Sequence, residues 1–169
     1  QSRPELGKRV VPFARELWIE RDDFMENPPK GFFRLQPGGE VRLRYGYIVK
    51  CVSVDKDAGG NVTAVHCTYD PLTKSGSGTE QRKVKGAIHW LAAAQAQQFE
   101  VRLYDRLFTV EEPGAARDYK QDMNPHSKKI ISGYGEAALA DAKPEERFQF
   151  ERLGYFVADS KDSKPGNPV

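Results

Sequence analysis

From Glu40 to Val54 apolar and polar residues alternate. Val41, Leu43, Tyr45, Tyr47 and Val49 fall on one face of an extended chain, and Arg42, Arg44, Ile48 and Lys50 on the other. The pattern predicts one long strand in which Arg42 and Arg44 point the same way. Asp57-Ala58-Gly59-Gly60-Asn61 follows as a hairpin turn, because Gly and Asn tolerate the positive φ of tight turns, and Val62 to Tyr69 returns as the partner strand. A turn centred on Gly59 sets Cys51 opposite Cys67 by register alone.

The other periodic stretches are short. Arg9 to Arg21 carries β-favouring residues around Pro12, which excludes a continuous helix and predicts one or two strands. Arg21 to Asn27 suits a short helical turn stopped by Pro28-Pro29. Val84 to Trp90, Glu100 to Val110, Lys128 to Ser132, Glu146 to Arg152 and Gly154 to Ala158 read as strands, while Leu91 to Gln98 fits either state. Thr73 to Thr79 reads as a mobile Gly/Ser-rich loop, the pattern turns irregular after Glu111 to Gly114, and the polar Ser160 to Val169 reads as a mobile tail or loop. Many short strands without βα alternation predict an all-β barrel or sandwich.

The 169 residues allow one large or two small domains. With 38% hydrophobic and 30% charged residues the composition is that of a soluble globular protein. No apolar run approaches the ~20 residues of a membrane span, and QSRPELGKRV lacks a signal peptide's apolar stretch. The expected compartment is the cytoplasm, without membrane association. Cys51 and Cys67 are too few for a disulfide scaffold and are expected to be reduced, and His66 and His89 complete no zinc spacing. Net charge is only +2, yet between residues 30 and 50 Lys30, Arg34, Arg42, Arg44 and Lys50 face a single acid, Glu40. Such a strip can bind a polyanion, since the local potential governs contact.

P-loop, HExxH and GxSxG patterns are missing, the three histidines stand alone, and Glu111-Glu112 and Glu145-Glu146 split to opposite faces of extended chain. No catalytic residue and no metal site is expected. The arginines interleave with Phe32, Phe33, Tyr45 and Tyr47, which joins guanidinium groups suited to phosphates and base edges with rings suited to unpaired bases. In Phe148-Gln149-Phe150-Glu151-Arg152, a straight strand puts Gln149 and Arg152 on opposite faces, and a bulge or twist would be needed for them to converge. Spacing alone leaves both strips open between a solvated sheet face and an RNA-binding surface.

Val10-Val11-Pro12-Phe13, Glu16-Leu17-Trp18-Ile19, Val41-Arg42-Leu43-Arg44, Cys67-Thr68-Tyr69-Asp70, Lys83 to Trp90 and Phe148 to Phe156 closely resemble the C-terminal anticodon-binding region of bacterial glutaminyl-tRNA synthetases, in order along almost the whole chain. The resemblance implies two interleaved β-barrels, proximal and distal. Residues 1–21 would be an N-terminal strand segment of the proximal barrel, 22–98 the distal barrel, and 99–169 the proximal barrel, truncated before a last strand of the type Phe-Asn-Arg-Thr-Val. It implies that Arg34 reads the third anticodon base, a guanine, that Arg42 and Arg44 surround the first base and its phosphate, and that Gln149 and Arg152 recognise the central uracil. Gly31 and Phe33 depart from the polar or basic residues found there in related sequences, and an upstream segment carrying a further anticodon arginine is missing.

The implied partners are glutamine tRNA and an N-terminal catalytic domain of the same protein. That domain would use ATP and magnesium; this fragment would bind no cofactor and catalyse nothing alone. Two other readings share these features: the corresponding region of an archaeal- or eukaryotic-type glutamyl-tRNA synthetase, which faces cytosine as third base, and a β-barrel protein-interaction module.

Overall fold

A computed structural model describes residues 7, 9–78 and 82–169. The N-terminal hexapeptide and Thr79 of the predicted Gly/Ser loop lie outside the described residues. The chain is all-β: every described helical turn is a short 3-10 segment, the longest being Ala137–Asp141. It divides into two compact units, residues 1–94 and 95–169.

The first unit contains β1 (Leu17–Trp18), β2 (Glu40–Leu43), β3 (Ile48–Lys56), β4 (Val62–Asp70), β5 (Ala87–Ile88) and β6 (Leu91–Ala92). Four strands form one sheet in the order β4-β3-β2-β5, with β5 parallel to β2, and β1 pairs with β6. Alternation explains its core: Val41, Leu43, Val49 and Cys51 turn inward and meet Leu35, Ile88 and Trp90. Val41 and Leu43, at 0% and 2% exposure, each contribute about 1.5–3 kcal/mol through burial.

The long strand predicted from Glu40 to Val54 is in fact the β2–β3 hairpin, in which Val41 pairs with Val49 and Arg42 with Ile48. The Gly46 N–H donates to the Leu43 carbonyl (2.7 Å), the Leu43 N–H to the Tyr47 carbonyl (2.8 Å), and Tyr45 takes φ 59°. Four connecting residues preserve face parity, so the alternation runs through the turn without a visible break. Space at Gly46 is tight, since a Cβ would meet the Leu43 carbonyl at 3.3 Å and touch the Trp90 ring at 3.5 Å. The Asp57 turn matches its expectation: Asp57 Oδ1 accepts from the Gly59 N–H (2.9 Å) and the Asn61 N–H (2.8 Å). Cys51 and Cys67 pair in register as free cysteines, and burial raises the Cys51 thiol above its ordinary value.

The second unit contains β7 (Gln97–Tyr104), β8 (Lys128–Gly135), β9 (Arg147–Phe150) and β10 (Gly154–Val157), paired as two antiparallel hairpins, β7–β8 and β9–β10. The predicted strand to Val110 ends at Tyr104, and that from Glu146 to Arg152 ends at Phe150. Phe99 meets Phe150 edge-on at 5.9 Å, and Phe150 stacks on Phe156 at 4.8 Å. Of the two readings of the tail, mobile or loop, the loop holds: the Asp159 N–H donates to the Val169 carbonyl (2.8 Å), and Arg102 Nη1 reaches Asp162 at 2.6 Å. Charge and chain reversal hold what composition alone marks as loose. The irregular segment before β8 is organised around buried Asp122, which accepts from the Gly114 N–H (3.0 Å) and Arg117 Nε (2.5 Å).

Candidate nucleic-acid interface

In the first unit the side chain of Arg34 lies beside Leu35, whose burial anchors the loop and whose N–H donates to the Asp23 carbonyl (3.0 Å). Arg34 Nε sits 3.2 Å from Oδ1 of Asp23, a residue with no solvent exposure, and Nη1 donates to the Asp22 carbonyl (3.0 Å). Nε and Nη1 are thus engaged by the fold, and 39% of the side chain stays exposed. A guanidinium carries the paired N–H donors that a guanine O6/N7 pair or a phosphate accepts.

Arg42 is committed differently. Nη1 donates to the Thr73 carbonyl (2.6 Å), Ser75 Oγ (3.1 Å) and the Gly46 carbonyl (3.3 Å), and Nη2 to the Arg82 carbonyl (3.3 Å). It therefore clips both ends of the loop between β4 and β5 to the β2–β3 turn. Its neighbour Arg44 lies in that turn, with its backbone N–H donating to Ile88 O (3.0 Å), its carbonyl accepting from Trp90 Nε1 (2.9 Å), and its guanidinium 5.3 Å from the Tyr45 ring centroid. Arg42 lies on a strand and Arg44 in a turn, so a shared strand face no longer relates them.

Lys85 Nζ lies 5.3 Å from the Phe33 ring centroid, so the aromatic at this departure position gathers a cation beside it. The Phe33 carbonyl sits where a Gly86 Cβ would be, at 1.7 Å, and the Gly86 carbonyl accepts the Arg42 N–H (3.0 Å). Gly86 thus brings the Arg34 loop against the arginine-bearing strand.

In the second unit Gln149 pairs with Tyr155 across the β9–β10 hairpin. Phe148, Phe150 and Phe156 take the inner face, leaving Arg147, Gln149, Tyr155 and Val157 exposed on the other, with Tyr155 82% exposed. Arg152 is in the connecting turn with φ 66°. Arg152 thus lies in the β9–β10 turn, beyond the strand whose alternation concerns Gln149. Sequence reasoning missed Asp23, since a single acid in a short turn gives no signal of burial, and Tyr155, whose alternation with Phe156 was the available clue.

Both polar-aromatic hairpins fall inside matched family segments. Two family profiles, each described as tRNA synthetases class I (E and Q), anti-codon binding domain, match residues 1–70 and 87–159. The chain belongs to this family. It is 61% identical to the glutamine–tRNA ligase of Cupriavidus metallidurans over 99% of its own length and 29% of the relative's. It is 56% identical to that of Nitrosomonas europaea, over 99% of its length and 31% of the relative's, and 52% identical to that of Vibrio parahaemolyticus, over 99% and 30%. The chain thus spans less than a third of the length of these curated relatives. Within the anticodon-binding family, β2–β3 lies in the first matched segment and β9–β10 in the second. Among the described residues no helix is long and apolar enough to cross a membrane.

Proposed function

We propose that this chain is the anticodon-binding region of a cytoplasmic glutamine–tRNA ligase and binds the anticodon loop of glutamine tRNA. The carrying observation is the near-complete alignment with glutamine–tRNA ligases at 52–61% identity. The family description alone serves glutamate and glutamine enzymes equally. The expected architecture is a distal barrel over residues 22–98 and a proximal barrel over 1–21 and 99–169; the four-stranded sheet falls in the former range, the β9–β10 hairpin in the latter, and β7 starts two residues before the boundary.

Within this reading Arg34 addresses the third base through the exposed part of its guanidinium, while Asp23 and the Asp22 carbonyl hold it at Nε and Nη1. Arg44 contributes charge at the β2–β3 apex beside the first base. Arg42 holds the loop between β4 and β5 in place and supports that surface from behind, consistent with its bonds to Gly46, Thr73, Ser75 and Arg82. Gln149 offers one acceptor and two donors on an exposed strand face, the inventory a uracil edge requires, and Arg152 adds charge at the adjoining turn. Glutamine activation with ATP and magnesium belongs to a catalytic domain elsewhere in the longer protein. The described residues offer no group of three His, Cys, Asp or Glu side chains fit to hold a metal ion.

Fluorescence anisotropy with a glutamine anticodon stem-loop tests the reading. Tighter binding than to the same stem with a scrambled loop, and than to a loop with cytosine as third base, is expected. Equal affinity for all three would overturn it. Tight binding to the cytosine loop alone would favour the glutamyl enzyme.

A further inference from the structure

We propose that Tyr45 is a stacking platform for an unpaired nucleobase, placed at the apex of the β2–β3 hairpin at a cost in backbone conformation. The inference rests on the anticodon-binding reading and adds to it a residue and a mode of contact. Tyr45 has φ 59°, one of three described non-glycine residues in the left-handed region. Bulky aromatic residues rarely adopt that conformation, which suits Gly or Asn. Such outliers persist where surrounding structure over-determines them, and they gather at binding sites.

Here the surroundings do over-determine the backbone. Arg44 before it is fixed at its N–H by Ile88 and at its carbonyl by Trp90, and Gly46 after it donates to Leu43 and accepts from the Ser75 N–H (3.0 Å). The ring itself gains little from the fold, since Tyr45 is 74% exposed. The Arg44 guanidinium lies 5.3 Å from its ring centroid. A ring backed by a cation and open to solvent on a rigid apex can take a base on its open face, while the same cation favours the adjoining phosphate. The ring therefore has a use in RNA binding that its packing does not supply.

Binding of a fluorescent glutamine anticodon stem-loop to the chain, and to its Tyr45→Phe and Tyr45→Asn variants, tests the proposal. Tyr45→Phe keeps affinity within about two-fold, whereas Tyr45→Asn weakens it about 5–160-fold, a range set by the loss of one stacked base. Tyr45→Asn also leaves or raises the thermal midpoint, because Asn tolerates the left-handed backbone. The slope of log affinity against log salt stays unchanged, since no phosphate contact is removed. An RNA series with one abasic loop position at a time gives a second measure: one position weakens binding to the parent but not to Tyr45→Asn. Equal affinities of parent and Tyr45→Asn, or additive losses at every abasic position, would overturn the stacking role. Failure of the parent itself to prefer the glutamine loop over its scrambled form would overturn the anticodon reading, and the stacking role with it.

Discussion

The two hairpins that carry the candidate interface are supported in opposite ways. Behind β2–β3 lie Leu35, Val41, Leu43, Val49, Ile88 and Trp90, all at or below 7% exposure, and Arg34, Arg42 and Arg44 are bonded into the surrounding backbone. In the second unit the buried residues are small or polar: Asp122, Gly135, Ala142, Ala158, Ser163 and Pro168. Its aromatic stack borders an open groove of about 430 Å³ lined by residues that include Phe99, Leu139, Phe150 and Phe156, and Ile130, Leu153, Tyr155 and Val157 are more than half exposed. A reading surface can be preorganised by apolar packing, or displayed on a hairpin held by a few rings and ion pairs. The first kind loses little entropy on binding, and the second can adjust to its ligand.

The largest expected effect tests that contrast through packing. Leu43→Ala should cost about 2–5 kcal/mol, because the surrounding core cannot close over the lost volume. Ile130→Ala, at an exposed strand position, should stay within about 0.5 kcal/mol. Both tryptophans, Trp18 and Trp90, lie in the first unit, so their fluorescence in urea follows that unit alone. Amide exchange should show β3 protected longer than β9. Equal protection of the two hairpins would remove the contrast.

Next in size is Arg34, where support and recognition meet in one side chain. Arg34→Ala should lose about 1–3 kcal/mol of discrimination between guanine and cytosine as third base. It also strips buried Asp23 of its ion pair, which lowers stability by about 1–3 kcal/mol. Arg34→Lys should recover much of the stability but little of the discrimination, because an ammonium lacks the bidentate edge. Stem-loop titrations and urea melts on both variants separate the two losses. If Arg34→Lys retained full discrimination, a bidentate contact would be excluded.

Acid should act more locally. The Gly114 N–H, followed by Arg117, holds the Asp122 carboxyl below the ordinary carboxylate range. The folded value lies under the unfolded one, so the contribution of Asp122 is fully present above about pH 4. It is lost as pH falls through the depressed folded value. The Gly114 amide resonance should titrate below pH 4 and lose its exchange protection there, and Asp122→Asn should abolish that titration. A midpoint at or above the ordinary aspartate value would contradict the geometry.

Legibility from sequence follows the range of the forces involved. The Asp57 to Asn61 turn and the Cys51–Cys67 register are local consequences of turn chemistry and period-two pairing, and both are present. All-β character was readable from many short alternating runs. The β2–β3 turn escaped because its four residues preserve parity across Tyr45 and Gly46. The tail's attachment escaped because Arg102 reaches Asp162 from 60 residues away, and no local pattern encodes such a pairing. In the candidate interface, residue types pointed to guanidinium and amide chemistry. The commitment of Arg42 to the Thr73 and Arg82 carbonyls depends on a chain crossing that only the fold provides.

The smallest effect belongs to Gln149, and it probes the second surface with least disturbance. Its side chain is exposed on β9 opposite Tyr155, so Gln149→Ala should change stability by no more than about 0.5 kcal/mol. One neutral hydrogen bond to a central uracil is worth about 0.5–1.5 kcal/mol, equivalent to a loss of affinity of roughly 2–13-fold. That loss should disappear when the RNA carries a central base whose edge cannot pair with the amide, because variant and parent then lack the same contact. Gln149→Glu sharpens the result: it keeps the acceptor, removes both amide donors and adds a charge that repels phosphate, so its loss should exceed that of Ala and shrink at high salt. No loss of affinity for either variant would mean that Gln149 stands away from the RNA. The second hairpin would then present its aromatic and arginine side chains alone.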